Sequence, residues 1–111
     1  MVQKTIEGIP LIVKDTIEKV DEEAKVILFG SRARGDFRLD SDWDFLILTK
    51  KEVSWQFQKE IRKLLYEVEL NTEQVITSVI ENEDIWLKYR ESEFFKNVVK
   101  EGIEVVSPKA A

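Results

Sequence analysis

The chain has 111 residues with a net charge of −5, and it contains 43% hydrophobic and 35% charged residues but no cysteine and no histidine. This length and balance indicate a single domain with one core, and the acidic charge argues against a strong electrostatic grip on long nucleic acid. The missing residue types exclude disulfides, thiolate or imidazole metal sites and a Ser-His triad, so any metal would be held by oxygen, which favours Mg²⁺ or Mn²⁺.

Helical and strand patterns alternate along the chain. The predicted elements are a helix over 9–20, a strand over 25–29, a short helix over 30–34, a strand over 42–49, a helix over 54–70, a strand over 75–80, and helices over 82–89 and 92–100. Pro10 suits the first turn of the first helix, and Ser54 is a candidate N-cap. Gly35 can end the short helix in a left-handed conformation, and Gly102 can stop the last helix.

These elements predict an α/β (α+β) fold, in which helices flank a small mixed sheet of three to four strands. The whole chain, 1–111, is expected to be one domain. Residues 2–8 are left open between a helical turn and a frayed end. Val105 and Val106 either add an edge strand or simply pack, and residues 107–111 are expected to be a loose tail.

Asp42 and Asp44 stand at the beginning of the second predicted strand. Residues two apart on a strand point to the same face, with Cα atoms roughly 6 to 7 Å apart, so the two carboxylates can converge on a hard cation. Trp43, Phe45 and Ile47 then face the opposite side, in apolar packing. Taken alone, this Asp-x-Asp pattern is more often a solvated turn that leads into a strand.

Gly30 and Ser31 follow the first predicted strand. Glycine permits close backbone approach, and the free N–H groups of a helix that begins there can bind an anion. A lone Gly-Ser pair is more often an ordinary tight turn. Gly30 and Gly35 have the spacing of a P-loop, but Asp36 replaces the lysine that such a loop needs. Arg32 and Arg34 have three alternative roles, which are phosphate binding, pairing with nearby aspartates and contact with a partner protein.

Together these residues resemble the signature of a known family. Gly30-Ser31-Arg32-Ala33-Arg34-Gly35, followed by Ser41-Asp42-Trp43-Asp44, is similar to the motif of the DNA polymerase β-like nucleotidyltransferases, and within them to the minimal nucleotidyltransferase domains of prokaryotes. The last predicted helix, in the segment FFKNVVKEGI from Phe94 to Ile103, also resembles the close of these small proteins.

The resemblance implies a nucleotidyltransferase fold and a set of site residues. Gly30, Ser31, Arg32 and Arg34 would bind the triphosphate of a nucleoside triphosphate, with ATP as substrate. Asp42 and Asp44 would be catalytic and would bind Mg²⁺ or Mn²⁺ ions, which stabilise the attacking oxygen and the leaving pyrophosphate. The product would be a nucleotidylated hydroxyl, classically carrying AMP.

The family pattern includes a third carboxylate, which this sequence does not clearly supply. The third predicted strand contains no acid before Glu81, and Gln74 falls where an aspartate is expected. Glu73 or Glu69 can substitute from the entrance of that strand, and Glu73, near its start, is the predicted third catalytic acid, which serves as base or metal ligand for the attacking hydroxyl. Its other interpretation is a solvated turn residue.

Two functions therefore stay open. One is a Mg²⁺-dependent nucleotidyltransferase that modifies a hydroxyl of a protein or RNA. The other is a catalytically weak or inactive antitoxin that neutralises a ribonuclease by covering it, since the resemblance implies a small helical HEPN-type partner in a toxin–antitoxin system. A homodimer is also left open. No stretch reaches the ~18 apolar residues of a membrane span and no signal-peptide pattern begins the chain, so a cytoplasmic location is expected.

Overall fold

The computed structural model describes residues 1–4 and 7–108, which form a mixed sheet with helices on both of its faces. The elements in chain order are β1 Val2–Lys4, α1 Ile9–Glu18, β2 Lys25–Phe29, α2 Ser31–Arg34, β3 Trp43–Thr49, α3 Trp55–Thr72, β4 Ile76–Asn82, α4 Glu83–Lys88, α5 Glu93–Glu101 and β5 Ile103–Val105. The predicted mixed sheet flanked by helices is confirmed. Over the described residues it holds five strands, one more than the largest number predicted.

The strands lie in the order β1-β5-β2-β3-β4. β2 is antiparallel to both β3 and β5, whereas β3 is parallel to β4 and β1 is parallel to β5. The first residues of β3 therefore lie between the end of β2 and the beginning of β4. This arrangement brings the Gly30 bend, the two aspartates and the beginning of the edge strand β4 to the same end of the sheet.

Alternate residues of β2 and β3 feed two separate cores, as the two-residue period of a strand requires. On one face, α1 and α3 cover Val26, Leu28, Phe45 and Ile47 with a buried row of their own apolar residues. On the other face, Trp86 of α4 and Val98 of α5 cover Ile27, Leu46 and Leu48. Because Asp44 shares the parity of Leu46 and Leu48, its side chain belongs to the α4/α5 face.

The helix caps explain where the larger helices begin. Ser54 accepts a hydrogen bond from the N–H of Phe57, as predicted, and Ser92 does the same for the N–H of Phe95. In α4 the cap is Asn82, whose side chain accepts hydrogen bonds from the N–H groups of Asp84 and Ile85.

The C-terminal segment differs from the prediction. β5 lies between β1 and β2 rather than at an edge, and Val105 is 1% exposed. The close packing of Gly102 against Val98 and Ile27 lets the chain turn from α5 directly into the sheet. In the predicted tail, Ser107 is buried, and residues 109–111 lie outside the described residues.

Across residues 1–4 and 7–108, none of the helices combines the length and the apolar character that crossing a bilayer requires.

Candidate functional site

The end of β2 brings Gly30 against Asp44. Phe29, the last residue of β2, pairs with Asp44 across the sheet. Gly30 itself has φ 74° and ψ −158°, a backbone conformation that is essentially restricted to glycine. A Cβ atom at this position would run into the carboxylate of Asp44. Glycine is therefore required here for two reasons, the backbone conformation and the close approach of the Asp44 carboxylate.

The bend continues into α2, whose first amides lie next to this acid. The carbonyl of Gly30 accepts hydrogen bonds from the N–H groups of Ala33 and Arg34, each at 3.0 Å. The N–H groups of Ser31 and Arg32 precede these two donors, and such N–H groups have no acceptor inside their helix and can bind an anion. Gly35, at φ 89°, ends the helix in the predicted left-handed conformation.

Asp42 lies one residue before β3, close to a hydroxyl of the neighbouring strand. Thr77 of β4 pairs with Asp44 in the parallel register, and its Oγ1 donates to Asp42 Oδ2 at 3.5 Å. Two carboxylates and one hydroxyl thus gather at the end of the sheet. Oxygen ligands of this kind suit a hard divalent cation.

The charges around Asp44 are only partly balanced. Burial raises the pKa of Asp44, the nearby negative charge of Asp42 raises it further, and the positive charge of Arg34 lowers it. Two carboxylates that repel each other in this way gain from a cation placed between them. The donor chemistry of Asp42 and Asp44 therefore fits the metal that the sequence motif implies.

Arg34 connects this bend to the last helix. Its Nε donates to Asp36 at 3.2 Å, and its Nη1 donates to Glu101 of α5 at 3.1 Å. The hydrogen bond to Asp36, followed by the pairing with Glu101, raises the pKa of Arg34. The side chain is predicted to bind nucleotide, and the structure places it beside the bend with two acidic partners of its own.

Arg32 holds the loop that precedes Asp42. Its guanidinium carbon lies over the rings of Phe37 and Trp43, 4.5 Å and 4.3 Å from their centroids. Its Nη2 also donates to the carbonyl oxygens of Leu39 and Ser41, at 3.1 Å and 3.0 Å. A guanidinium that contacts two rings and two carbonyl oxygens of this loop holds its conformation. The structure thus ties Arg32, a predicted nucleotide ligand, to the placement of Asp42.

Glu73 lies at the end of α3, with a positive φ of 57° and an exposed side chain. Gln74, which stands where an aspartate is expected, accepts a hydrogen bond from Nε1 of Trp43 at 3.1 Å. Over residues 1–4 and 7–108, no three acidic side chains are grouped so that they could hold one metal ion. The structure therefore does not join Glu73 to Asp42 and Asp44 in a metal-binding set.

Sequence reasoning missed Thr77. The parallel register between β3 and β4 places residue 77 beside Asp44, on the same face of the sheet. The positions of acids in the third predicted strand could not reveal that Thr77 lies beside Asp44, because the register in which two strands pair depends on the tertiary structure. The two-residue period of a strand places 77, 79 and 81 on one face of β4, but it does not tell which of them stands beside Asp44.

Comparisons with known proteins show which family the chain belongs to. The sequence model of one family, described as a nucleotidyltransferase domain, matches residues 9–101. Two proteins of Methanocaldococcus jannaschii, both described provisionally as protein adenylyltransferases, are similar to the chain. One is 37% identical over 79 residues, which cover 70% of this chain and 73% of the relative. The other is 33% identical over 97 residues, which cover 87% of each.

Solved structures share the fold at lower identity. A crystal structure described as a toxin–antitoxin with AMP-PNP superposes with a TM-score of 0.57 at 17% identity, over 87% of this chain and 75% of that one. A protein of Sulfolobus solfataricus, described provisionally as a nucleotidyltransferase, superposes with a TM-score of 0.54 at 21% identity, over 90% and 81% of the two chains. The family match over residues 9–101 includes Gly30, Asp42 and Asp44, and the chain belongs to the nucleotidyltransferase domain family.

Proposed function

We propose that the chain transfers AMP from ATP to a hydroxyl group of a protein, with the help of a divalent cation. The observation that carries this proposal is the contact between Gly30 and the carboxylate of Asp44. It places an acid suited to a cation directly beside a bend whose amides suit a phosphate. The descriptions of the two archaeal relatives as protein adenylyltransferases support AMP as the transferred group and a protein as the acceptor.

In this reaction the acceptor oxygen forms a bond to the α-phosphorus of ATP. The bond from that phosphorus to the oxygen that bridges to the β-phosphorus breaks, and pyrophosphate leaves. The proton of the acceptor hydroxyl must pass to a base. The amides and the hydroxyl of Gly30 and Ser31 would bind the triphosphate, and Arg34 would supply positive charge beside it.

Asp42 and Asp44 would hold Mg²⁺ or Mn²⁺, which when bound neutralises charge on the phosphates and the attacking oxygen. Arg32 would act as a positioning residue, because it fixes the loop from which Asp42 extends. Glu73 stays the predicted proton acceptor. Its exposed position at the end of α3 leaves it accessible to an incoming acceptor.

A second candidate function is supported by the uncharged side chain at position 77. Without a third carboxylate beside Asp44, turnover would be slow, and the chain would serve mainly as an antitoxin that covers a helical HEPN-type ribonuclease. The fold shared with a chain from a toxin–antitoxin structure agrees with this alternative. In that case, inhibition of the partner would survive removal of both aspartates.

Label transfer tests the proposed function. ATP labelled at the α-phosphate is incubated with Mg²⁺, an extract of the source cells and either the wild-type protein or Asp42→Asn. Asp40→Asn, which removes an exposed carboxylate from the neighbouring loop, is the matched control. We expect labelled protein with the wild type and with the control, and a loss of at least about a hundredfold with Asp42→Asn.

Label from γ-labelled ATP should not be transferred. Transfer of γ-label would indicate phosphorylation instead, and label in the RNA fraction alone would overturn the assignment of a protein acceptor. Equal labelling by the wild type and Asp42→Asn would contradict the proposed role of that carboxylate.

A further inference from the structure

α3 carries a second stripe of large side chains on the side that faces away from the sheet. Its inner stripe of Phe57, Ile61, Leu65 and Val68 is buried in the core. The outer stripe consists of Trp55, Tyr66 and Leu70, whose exposed fractions are 70%, 58% and 62%. Separations of eleven and four residues keep these three on one side of a helix. The core therefore gives no reason for these side chains to be large and apolar.

Basic residues lie between these aromatic side chains. A depression of about 520 Å³ on this surface is lined by Trp55, Gln58, Lys59, Arg62, Lys63 and Tyr66. Three of the six carry positive charge and none is acidic, although the whole chain has a net charge of −5. Nζ of Lys59 also lies 4.9 Å from the ring centroid of Trp55. The surface is thus locally positive on an acidic molecule.

This surface continues towards the candidate site. A second depression, of about 370 Å³, shares Arg62 and Tyr66 with the first and reaches Thr77 on the edge strand β4. The hydroxyl of Thr77 contacts Asp42. Arg62 bridges α3 and the edge strand, since its Nη1 donates to Oγ of Ser78 at 3.1 Å. Glu69 is the acidic residue that lines this second depression.

We propose that the outer face of α3 binds an acidic segment of the acceptor protein and leads its hydroxyl along β4 to Asp42. The segment's carboxylates would pair with Lys59, Arg62 and Lys63, and its apolar side chains would pack on Trp55 and Tyr66. This inference rests on the proposed function, because it names the docking surface of the same acceptor. Single-stranded nucleic acid also fits aromatic and basic side chains, but the acidic chain as a whole repels a long polyanion.

The length of the stripe fixes the size of the probe. Trp55 and Tyr66 are about 16 Å apart along the helix axis, a span that roughly five extended residues cover. A fluorescent peptide of about ten residues, with a central tyrosine and flanking aspartates and glutamates, is titrated with the protein. The same peptide with lysine at every acidic position is the matched probe.

The test variant is Lys59→Glu with Lys63→Glu, which reverses two exposed charges without touching the core. Lys19→Glu with Lys96→Glu makes the same change of net charge elsewhere, at the residue after α1 and within α5. We expect the wild type and the control to bind the acidic peptide, and the test variant to bind it at least about tenfold more weakly. Binding of ATP in the presence of Mg²⁺ should be the same in all three proteins.

Unchanged affinity of the test variant, preference for the basic peptide, or tighter binding of a single-stranded RNA oligonucleotide would each overturn the proposal. If the wild type did not bind ATP in the presence of Mg²⁺, this result would instead contradict the proposed function. The two failures are therefore distinguishable.

Discussion

Gly30 is the residue whose identity the site constrains most tightly. Its backbone conformation costs a residue with a side chain on the order of 1–3 kcal/mol, and Asp44 fills the space that a Cβ would need. We therefore expect Gly30→Ala to lower the free energy of unfolding by about 1–3 kcal/mol and to weaken ATP binding by displacing Asp44.

Gly8 provides the control for this substitution. It also has a positive φ, of 81°, but nothing lies within 4 Å of a Cβ built on it. Gly8→Ala should therefore cost stability through backbone strain alone and leave ATP affinity unchanged. Urea unfolding and ATP titration of both variants check this difference. Equal ATP affinity in Gly30→Ala and the wild type would mean that Asp44 need not lie against the bend.

The raised pKa of Asp44 predicts a pH dependence of stability in the metal-free protein. Because its pKa is higher in the folded chain than its ordinary value of 3.8, Asp44 favours folding below that value and loses this contribution as the pH rises through its folded pKa. Asp44→Asn should therefore be more stable than the wild type at neutral pH without metal, and the advantage should fade on acidification.

Urea unfolding with EDTA at several pH values measures this effect. Asp40→Asn, in the exposed loop, should follow the wild type at every pH. Added Mg²⁺ should reverse the order by stabilising the wild type more than Asp44→Asn. A wild type that is the more stable protein at neutral pH without metal would contradict the electrostatic account.

At the scale of elements, the register between β3 and β4 decides which residue stands beside the acid pair. Thr77 occupies that position, with its hydroxyl on Asp42. Thr77→Asp should increase the affinity for Mg²⁺ about tenfold, since it adds a third carboxylate to the set, and should lower stability when metal is absent.

Thr77→Asn, of similar size but uncharged, is the control. Thermal unfolding with and without Mg²⁺ should separate the two variants, with a larger metal-dependent increase in melting temperature for Thr77→Asp. The same increase in both variants would show that position 77 does not face the metal.

Local signals in the sequence were sufficient for most helices and strands. Ser54 and Gly35 have the side chain or the backbone freedom that their cap positions need, and neighbouring residues alone determine this. β5 could not be placed in this way, because its interior position depends on pairing with β1 and β2 from the far end of the chain. Val99 has the helical spacing of an inward residue but is 40% exposed, since α5 packs through Val98.

At the scale of the whole molecule, the site gathers residues from β2, α2, β3 and β4 at one end of the sheet. The family motif predicted Gly30, Asp42 and Asp44 because their spacing within one stretch is itself the signal. The contacts of Arg32 with Phe37 and Trp43 could not be predicted, because phosphate, nearby aspartates and a partner protein were all possible partners of its guanidinium. For the exposed stripe of α3, composition alone does not decide between core and surface, since Trp55 fits either position and the structure places it at the surface.

Charge is distributed unevenly between the surface of α3 and the candidate site. The positive face of α3 stands out on a molecule of net charge −5, whereas the site itself carries two carboxylates that repel each other until a cation joins them. Nucleotide and metal should therefore bind together, each improving the affinity of the other. Without metal, the negative charges of Asp42 and Asp44 would repel the triphosphate of ATP.

Calorimetric titration of ATP into the protein, with Mg²⁺ or with EDTA, measures whether nucleotide and metal bind together at Asp42 and Asp44. The variants are Asp42→Asn with Asp44→Asn and, as a control of equal charge change on α1, Asp15→Asn with Glu18→Gln. We expect Mg²⁺-dependent binding to the wild type and the control, and binding at least about tenfold weaker to the aspartate variant or in EDTA. Equal affinity of the aspartate variant and the wild type, or tight binding of ATP in EDTA, would contradict this expectation.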